Sequence, residues 1–138
     1  MKPTNDQIKE ISSELDLGLL CFYHIPTGRI ISYPDPDDPD VDPEPWQEDM
    51  DFVAVEREQV VQFERMTSSE EFRIMEAFVQ TVPNIHVQSR LLQALENRKP
   101  FRHFKQLIDA SAYRQDWFSF RDQAHVDYVR EQVDARRW

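Results

Sequence analysis

Residues 34–45 read PDPDDPDVDPEP and limit what this chain can fold into more than any other segment. They hold five of the nine prolines and six acidic side chains. Proline lacks the amide hydrogen that helices and inner strands need, and it disfavours the helical conformation in the residue before it. Neighbouring carboxylates also repel each other. We therefore predict an extended, solvated, acidic proline-rich loop over residues 34–45.

The residues before this loop have the pattern of one helix followed by a hairpin. Apolar side chains recur at helical spacing in residues 5–15 and predict a short amphipathic helix. Residues 17–23 and 29–33 are rich in β-branched and aromatic side chains, and they flank a turn in which Gly28 can adopt a positive φ. After the loop, residues 46–55 favour a helical turn and residues 59–66 a third strand.

The second half of the chain has the pattern of helices. Residues 67–71 read TSSEE, and we assign a capping box to Ser68 and Glu71 at the start of a helix that Pro83 ends. Asn84 can cap a second helix, and Pro100 suits the first position of a third. A fourth helix has Trp117 at the centre of its apolar stripe, so we expect that side chain to be largely buried.

These elements predict an α+β fold in a single domain spanning residues 1–138, with the acidic loop inside it. We expect a small antiparallel sheet of about three strands and about four to five helices, most of them C-terminal. Hydrophobic residues make up 40% of the chain and supply a core for such a domain.

The glycine and cysteine content excludes several classes of protein. The two glycines, Gly18 and Gly28, cannot form the phosphate-binding loop of a P-loop protein or of a dinucleotide fold. The single Cys21 can form neither an internal disulfide nor a multi-thiolate zinc site, and its place in a strand favours a small buried side chain. The N-terminal residues do not resemble a signal peptide and no window is apolar enough for a membrane span, so we expect a cytoplasmic protein without membrane contact.

Metal sites also find little support in the sequence. The four histidines fall in four different predicted elements and form no HExxH motif. They are His24, His86, His103 and His125. Asp38, Asp40 and Asp42 have the spacing of calcium ligands in an EF-hand. Pro43, however, occupies the position where that loop needs glycine. We therefore predict no metal site and no cofactor.

Charge is distributed unevenly along the chain. Residues 1–64 hold 16 acidic and 4 basic side chains, a balance of −12, whereas residues 98–138 hold 6 and 9, a balance of +3. The net charge of −10 argues against a binder of duplex nucleic acid. The excess of basic groups near the C-terminus marks the part of the chain that can attract an acidic partner.

Three aromatic-basic motifs in this second half carry a resemblance to a known family. They read FRIMEAFV, KPFRHFKQLID and YRQDWFSFRDQ, and together they resemble the uncharacterised bacterial family numbered 158 among the uncharacterised protein families. The similarity extends back through the hairpin with its Thr-Gly turn. The resemblance implies a small cytosolic bacterial protein, and it carries over no established activity.

The run RKPFRHFK over residues 98–105 is the sharpest candidate for a binding site. If Pro100 begins a helix, the bases crowd the positive end of the helix dipole, where an anion would offset them. Their side chains could instead pair internally with carboxylates, namely Glu70, Glu71, Glu76 or Asp109. The candidate anion-binding or partner-binding residues are Arg98, Lys99, Arg102, Lys105, Arg114 and Arg121.

The sequence favours a non-catalytic interaction or regulatory module whose basic-aromatic face recognises an acidic group on an unknown protein or ligand. The alternative is a small phosphate-handling hydrolase or nucleotide-binding enzyme, in which Arg98, Arg102 and Lys105 grip a phosphate. A concave pocket that joins these bases to carboxylates would favour the enzyme, and a flat or convex face the binding module.

Overall fold

The computed structural model describes all residues from Met1 to Trp138. It contains six α-helices and one three-stranded antiparallel sheet, which confirms the α+β fold class. The chain forms two compact units, which we call the sheet unit (residues 1–65 and 126–138) and the helical unit (residues 66–125). The single domain expected from the sequence stays a prediction.

The sheet unit contains three strands, two complete helices and the end of a third helix. Its elements in chain order are α1 (Asn5–Asp16), β1 (Leu20–His24), β2 (Arg29–Tyr33), α2 (Gln47–Val55), β3 (Val60–Phe63) and the last part of α6 (Arg114–Asp134). The strand order is β2-β1-β3, and both pairs are antiparallel. The predicted first helix, hairpin and third strand are therefore confirmed.

The hairpin turn depends on Gly28. Its φ of 71° lies in the left-handed region, which glycine adopts at little steric cost. The Gln7 side-chain amide donates a 2.9 Å hydrogen bond to the Gly28 carbonyl, so α1 also holds the turn in place. His24 and Arg29 form the last pair of the β1–β2 ladder.

Both faces of the sheet are covered by helices. One face forms a core with α1 and the end of α6 that consists mainly of Ile8, Ile11, Leu15, Cys21, Tyr23, Val61, Phe63, Val129 and Val133. On the other face, α2 and the turn before it pack against Phe22, Ile31 and Tyr33 through Trp46, Met50, Phe52 and Val53. Burial of these side chains is the main stabilising contribution to the unit.

The acidic loop has neither helix nor strand from residue 34 to residue 43, as expected from its prolines. The loop is not extended as predicted, because the Asp38 amide donates to the Asp35 carbonyl and the Val41 amide to the Asp38 carbonyl, each at 3.1 Å, and these bonds close two turns. The prediction is wrong for its last two residues, because a short 3₁₀ helix runs over Glu44–Trp46. Pro45 suits the first turn of such a helix, where its missing amide hydrogen has no partner to lose. Within the loop, carboxylates accept hydrogen bonds from the backbone amide two residues further on, at Asp35, Asp38 and Asp42.

The helical unit consists of α3 (Ser68–Val79), α4 (Ile85–Leu95), α5 (Pro100–Asp109) and the first part of α6. Its buried core contains Met75, Phe78, Val79, Val82, Leu91, Leu95, Phe104, Ile108 and Trp117. Trp117 is 8% exposed, which confirms the prediction that it is largely buried.

The cap of α3 lies one residue earlier than the sequence analysis placed it. Thr67 has the extended backbone of an N-cap, its hydroxyl accepts from the Glu70 amide at 3.2 Å, and the Glu70 carboxylate accepts from the Thr67 amide at 3.1 Å. The assignment to Ser68 and Glu71 is wrong. TSSEE contains two overlapping copies of the capping pattern, and the helix begins with the first of them.

Candidate functional site

The helix α5 begins at Pro100, as the sequence predicts. Proline fixes a helical φ and lacks the amide hydrogen that would have no partner in the first turn. Lys99 precedes it in a non-helical conformation and makes no side-chain cap, and the first turn contains no acidic residue. The amide groups at this end of α5 are therefore not offset by a carboxylate from the helix itself.

Four cations lie just before α5 or in its first two turns, and we call them the α5 basic surface: Arg98, Lys99, Arg102 and Lys105. All four residues are exposed. Phe104 and Ile108 turn the opposite face of the helix into the core. None of the four cations forms an ion pair or a side-chain hydrogen bond, so they remain available for an external anion.

Phe101 lies within this surface and is the one aromatic residue among the six exposed large apolar side chains. It is 40% exposed, and its ring meets Phe72 of α3 edge to face with centroids 6.5 Å apart. The ring is therefore held on one side and open to solvent on the other. An exposed aromatic ring among basic groups is typical of binding surfaces.

The remaining two predicted site residues pair internally. Arg114 Nε lies 3.4 Å from Asp109 Oδ1, and its guanidinium stacks 4.8 Å from the ring centroid of Phe118. Arg121 lies 3.5 Å from Glu71 Oε1. Internal pairing with Asp109 and Glu71, which the sequence left open, is confirmed for these two arginines. The assignment of the six residues to one binding site stays a prediction.

Arg121 also lines a small pocket of about 40 Å³ that the sequence analysis did not identify. The walls include Phe101 and Trp117, and Glu71 Oε1 lies 3.2 Å from His125 Nε2. Arg121 and His125 are four residues apart on α6, so their shared helix face was the available sequence signal. The contribution of Glu71 from α3 depends on tertiary packing, which has no local signature.

The three bases that would bind phosphate in the enzyme alternative do not line these pockets. Arg98, Arg102 and Lys105 line neither this pocket nor the two pockets beside α4 and α5. No group of three His, Cys, Asp or Glu side chains is arranged so that it could hold a metal ion.

Cys21 is a structural residue of the sheet unit. Burial raises the pKa of its thiol to about 12, and the negative charges of Glu14 and Glu10 add to this effect. Because the thiolate is the nucleophilic form, the thiol is unreactive near neutral pH. This agrees with its interpretation as a small buried side chain.

None of the helices has both the length and the apolar composition that crossing a bilayer requires.

The structure defines an α+β protein with an exposed, unpaired cluster of cations on its helical unit. The chain belongs to the uncharacterised protein family UPF0158, whose profile matches residues 27–134. It is 26% identical over 127 residues to the UPF0158 protein PA5073 of Pseudomonas aeruginosa, an alignment that covers 89% of this chain and 77% of that protein. No solved structure matches the chain. The resemblance found in the sequence motifs is confirmed.

Proposed function

We propose that this chain is a non-catalytic binding module that recognises an acidic group on a partner through the α5 basic surface and Phe101. The observation that carries the proposal is that four exposed cations, just before α5 and in its first two turns, form no ion pair with a carboxylate. Arg114 and Arg121 have such partners, so internal neutralisation occurs elsewhere in the same unit but not at this surface.

Electrostatics favours an external anion at this position. A cation near the positive end of a helix costs roughly 0.3 to 1 kcal/mol, and an anion placed there would offset this cost. The charge balance within the chain supports the same conclusion. The sheet unit holds 19 acidic and 8 basic side chains, whereas the helical unit holds 7 and 8. The α5 basic surface therefore lies in the unit that repels acidic partners least.

Phe101 gives the surface an apolar contact in addition to charge. An exposed ring beside arginines can pack against a partner while the guanidinium groups bind its carboxylates or phosphates. Burial of the ring would contribute free energy that salt does not screen. The expected partner therefore combines an acidic group with an adjacent apolar group.

The exposure of these cations supports the binding module over the enzyme alternative. An active site concentrates its groups in a concave, water-poor pocket, where electrostatic interactions are strong. Arg98, Arg102 and Lys105 are instead exposed, and no group of three His, Cys, Asp or Glu side chains is arranged to hold a metal ion beside them.

A direct test measures binding of the full chain to immobilised poly-L-glutamate at increasing salt. We expect affinity to fall as salt rises, because exposed charges are screened. One variant changes the α5 basic surface to glutamine at Arg98, Lys99, Arg102 and Lys105. A matched control changes two lysines and two arginines of the sheet unit that are equally exposed, namely Lys2, Lys9, Arg57 and Arg137.

Both variants lower the net charge by the same amount, so only the position of the change differs. The proposal predicts at least a tenfold loss of affinity for the α5 variant and less than a twofold loss for the control. Equal losses would mean that general charge attraction accounts for the binding, and the proposed site would be wrong. Circular dichroism verifies that both variants are folded.

A further inference from the structure

A pocket of about 260 Å³ lies between α4 and the end of α5, in the helical unit. Its walls are mainly apolar and include Val87, Leu91, Leu107, Ala110, Ala112 and Tyr113. An apolar lining with a few polar groups is typical of pockets that hold small molecules. None of the cations of the α5 basic surface lines it, so this pocket is separate from the site proposed above.

The pocket exists because the segment after α5 has small side chains. The helix ends at Asp109, and residues 110–112 read Ala-Ser-Ala before Tyr113. The Ser111 hydroxyl donates to the Ile108 carbonyl and accepts from the Tyr113 amide, which fixes the turn. Because the turn is fixed and its side chains are short, the space beside Leu91 and Leu107 stays open.

Arg90 lies where this pocket meets a second, polar pocket of about 320 Å³. Both pockets are lined by Arg90 and Leu107, and the polar one adds Gln93, Asn97, His103 and Gln106. Arg90 is exposed and forms no ion pair. An apolar compartment and a polar compartment therefore share one unpaired cation.

No acidic side chain lines either pocket, although 26 of the 138 residues are acidic. The guanidinium of Arg90 accordingly has no internal competitor for an incoming anion. The side-chain amides of Gln93, Asn97 and Gln106 add hydrogen-bond donors on the polar side. A single negatively charged head group matches this arrangement better than a neutral or cationic one.

We propose that this pocket binds an amphiphilic monocarboxylate, with its carboxylate on Arg90 and its apolar chain between α4 and α5. A planar carboxylate can accept two parallel hydrogen bonds from a guanidinium, and one such group balances the one cation present. The stretch from Asn84, the N-cap of α4, to Leu91 lines the apolar side and measures about 10 Å, which suits an aliphatic chain of medium length.

Octanoate is the probe for the test, used below its micellar concentration with the full chain. Binding is followed by the shifts of backbone amide signals in ¹H–¹⁵N correlation spectra. We expect saturable shifts at Leu91, Leu107 and residues 110–113. Octan-1-ol and octylammonium have the same chain without the carboxylate, and we expect each to bind at least about tenfold more weakly.

Two variants separate the head-group contact from the apolar contact. Arg90→Gln removes the cation, so octanoate should lose about tenfold in affinity while octan-1-ol is unaffected. Ala110→Leu narrows the pocket from an exposed position and should weaken octanoate and octan-1-ol together. The matched control is Arg73→Gln, because Arg73 is also exposed, lies on α3 and lines neither pocket.

The proposal is wrong if octanoate and octan-1-ol bind equally, or if Arg90→Gln and Arg73→Gln have the same effect. It is also wrong if Arg102→Gln weakens octanoate as much as Arg90→Gln, because the ligand would then occupy the α5 basic surface. Loss of poly-L-glutamate binding in the α5 variant leaves this inference intact, since the two sites share no residue.

Discussion

Phe104 of α5 and Trp117 of α6 meet edge to face, with their ring centroids 4.9 Å apart. Phe78 of α3 makes a second edge contact to the same indole at 5.3 Å. Trp117 therefore connects three helices of the helical unit. The face of α5 that carries the basic surface is oriented by the burial of Phe104 on the opposite side.

Replacing Trp117 with alanine should destabilise the protein by about 3 to 5 kcal/mol. The change removes a large buried side chain and leaves a cavity that Phe78 and Phe104 cannot fill completely. Urea unfolding followed by circular dichroism gives the free energy. Trp117→Phe keeps part of the contact and should cost clearly less than the alanine change. A loss below about 1 kcal/mol for Trp117→Ala would contradict its central position in the core.

Thr67 and Ser68 allow a test of the α3 cap with two adjacent hydroxyl residues. Thr67→Ala removes the acceptor for the Glu70 amide and should lower the free energy of unfolding by about 1 kcal/mol. Ser68 is the first helical residue and caps nothing, so Ser68→Ala should change stability by less than about 0.5 kcal/mol. Urea unfolding of both variants provides the comparison. If Ser68→Ala lowers the free energy of unfolding more than Thr67→Ala does, Ser68 is the N-cap, as the sequence predicted.

The sequence predicted those elements whose signals are local. Apolar spacing placed the helices α3 and α5, and the glycine at position 28 placed the hairpin turn. Pro100 begins α5 as predicted, but the predicted end of α3 at Pro83 is wrong, because that helix already ends at Val79. The cap of α3 was misplaced by one residue because the choice between Thr67 and Ser68 depends on where the backbone leaves the extended conformation. The sequence pattern alone does not determine that point.

Long-range contacts were outside the reach of the sequence. Gln132 of α6 donates to the Glu64 carbonyl at 2.9 Å and accepts from the Glu64 amide at 2.8 Å, although 68 positions separate the two residues. The division of the predicted site residues into paired and unpaired cations also depends on long-range contacts. Only the tertiary structure shows that Arg121 meets Glu71 while the cations around Pro100 have no partner.

Calcium should leave the melting temperature unchanged. In the acidic loop, Asp35, Asp38 and Asp42 each turn a carboxylate oxygen toward a nearby backbone amide, and no three acidic groups converge on one point. Binding of calcium needs six to eight oxygen ligands around a single ion. Thermal unfolding with and without millimolar calcium checks this expectation. A clear calcium-dependent rise would mean that the loop carboxylates gather around the ion despite Pro43.

Cys21 should make stability fall at alkaline pH. Burial, reinforced by Glu14 and Glu10, raises the pKa of its thiol from 9.0 to about 12 in the folded protein. Above pH 9 the unfolded chain releases this proton while the folded protein keeps it, so rising pH favours unfolding. The contribution is fully present below pH 9 and is lost progressively as pH approaches 12.

One retained proton corresponds to a slope of at most about 1.4 kcal/mol per pH unit. We therefore expect the free energy of unfolding to decrease by roughly 1 kcal/mol between about pH 9 and pH 10.

Urea titrations across this range, on the parent protein and on Cys21→Ala, measure the slope. The alanine variant should have a flatter slope between pH 9 and pH 12, whatever its stability at neutral pH. Tyr23 and Tyr33 also have raised pKa values. The parent protein and Cys21→Ala both contain these tyrosines, so their contribution to the slope cancels in the comparison. Identical slopes in the two proteins would show that the thiol does not stay protonated in the fold.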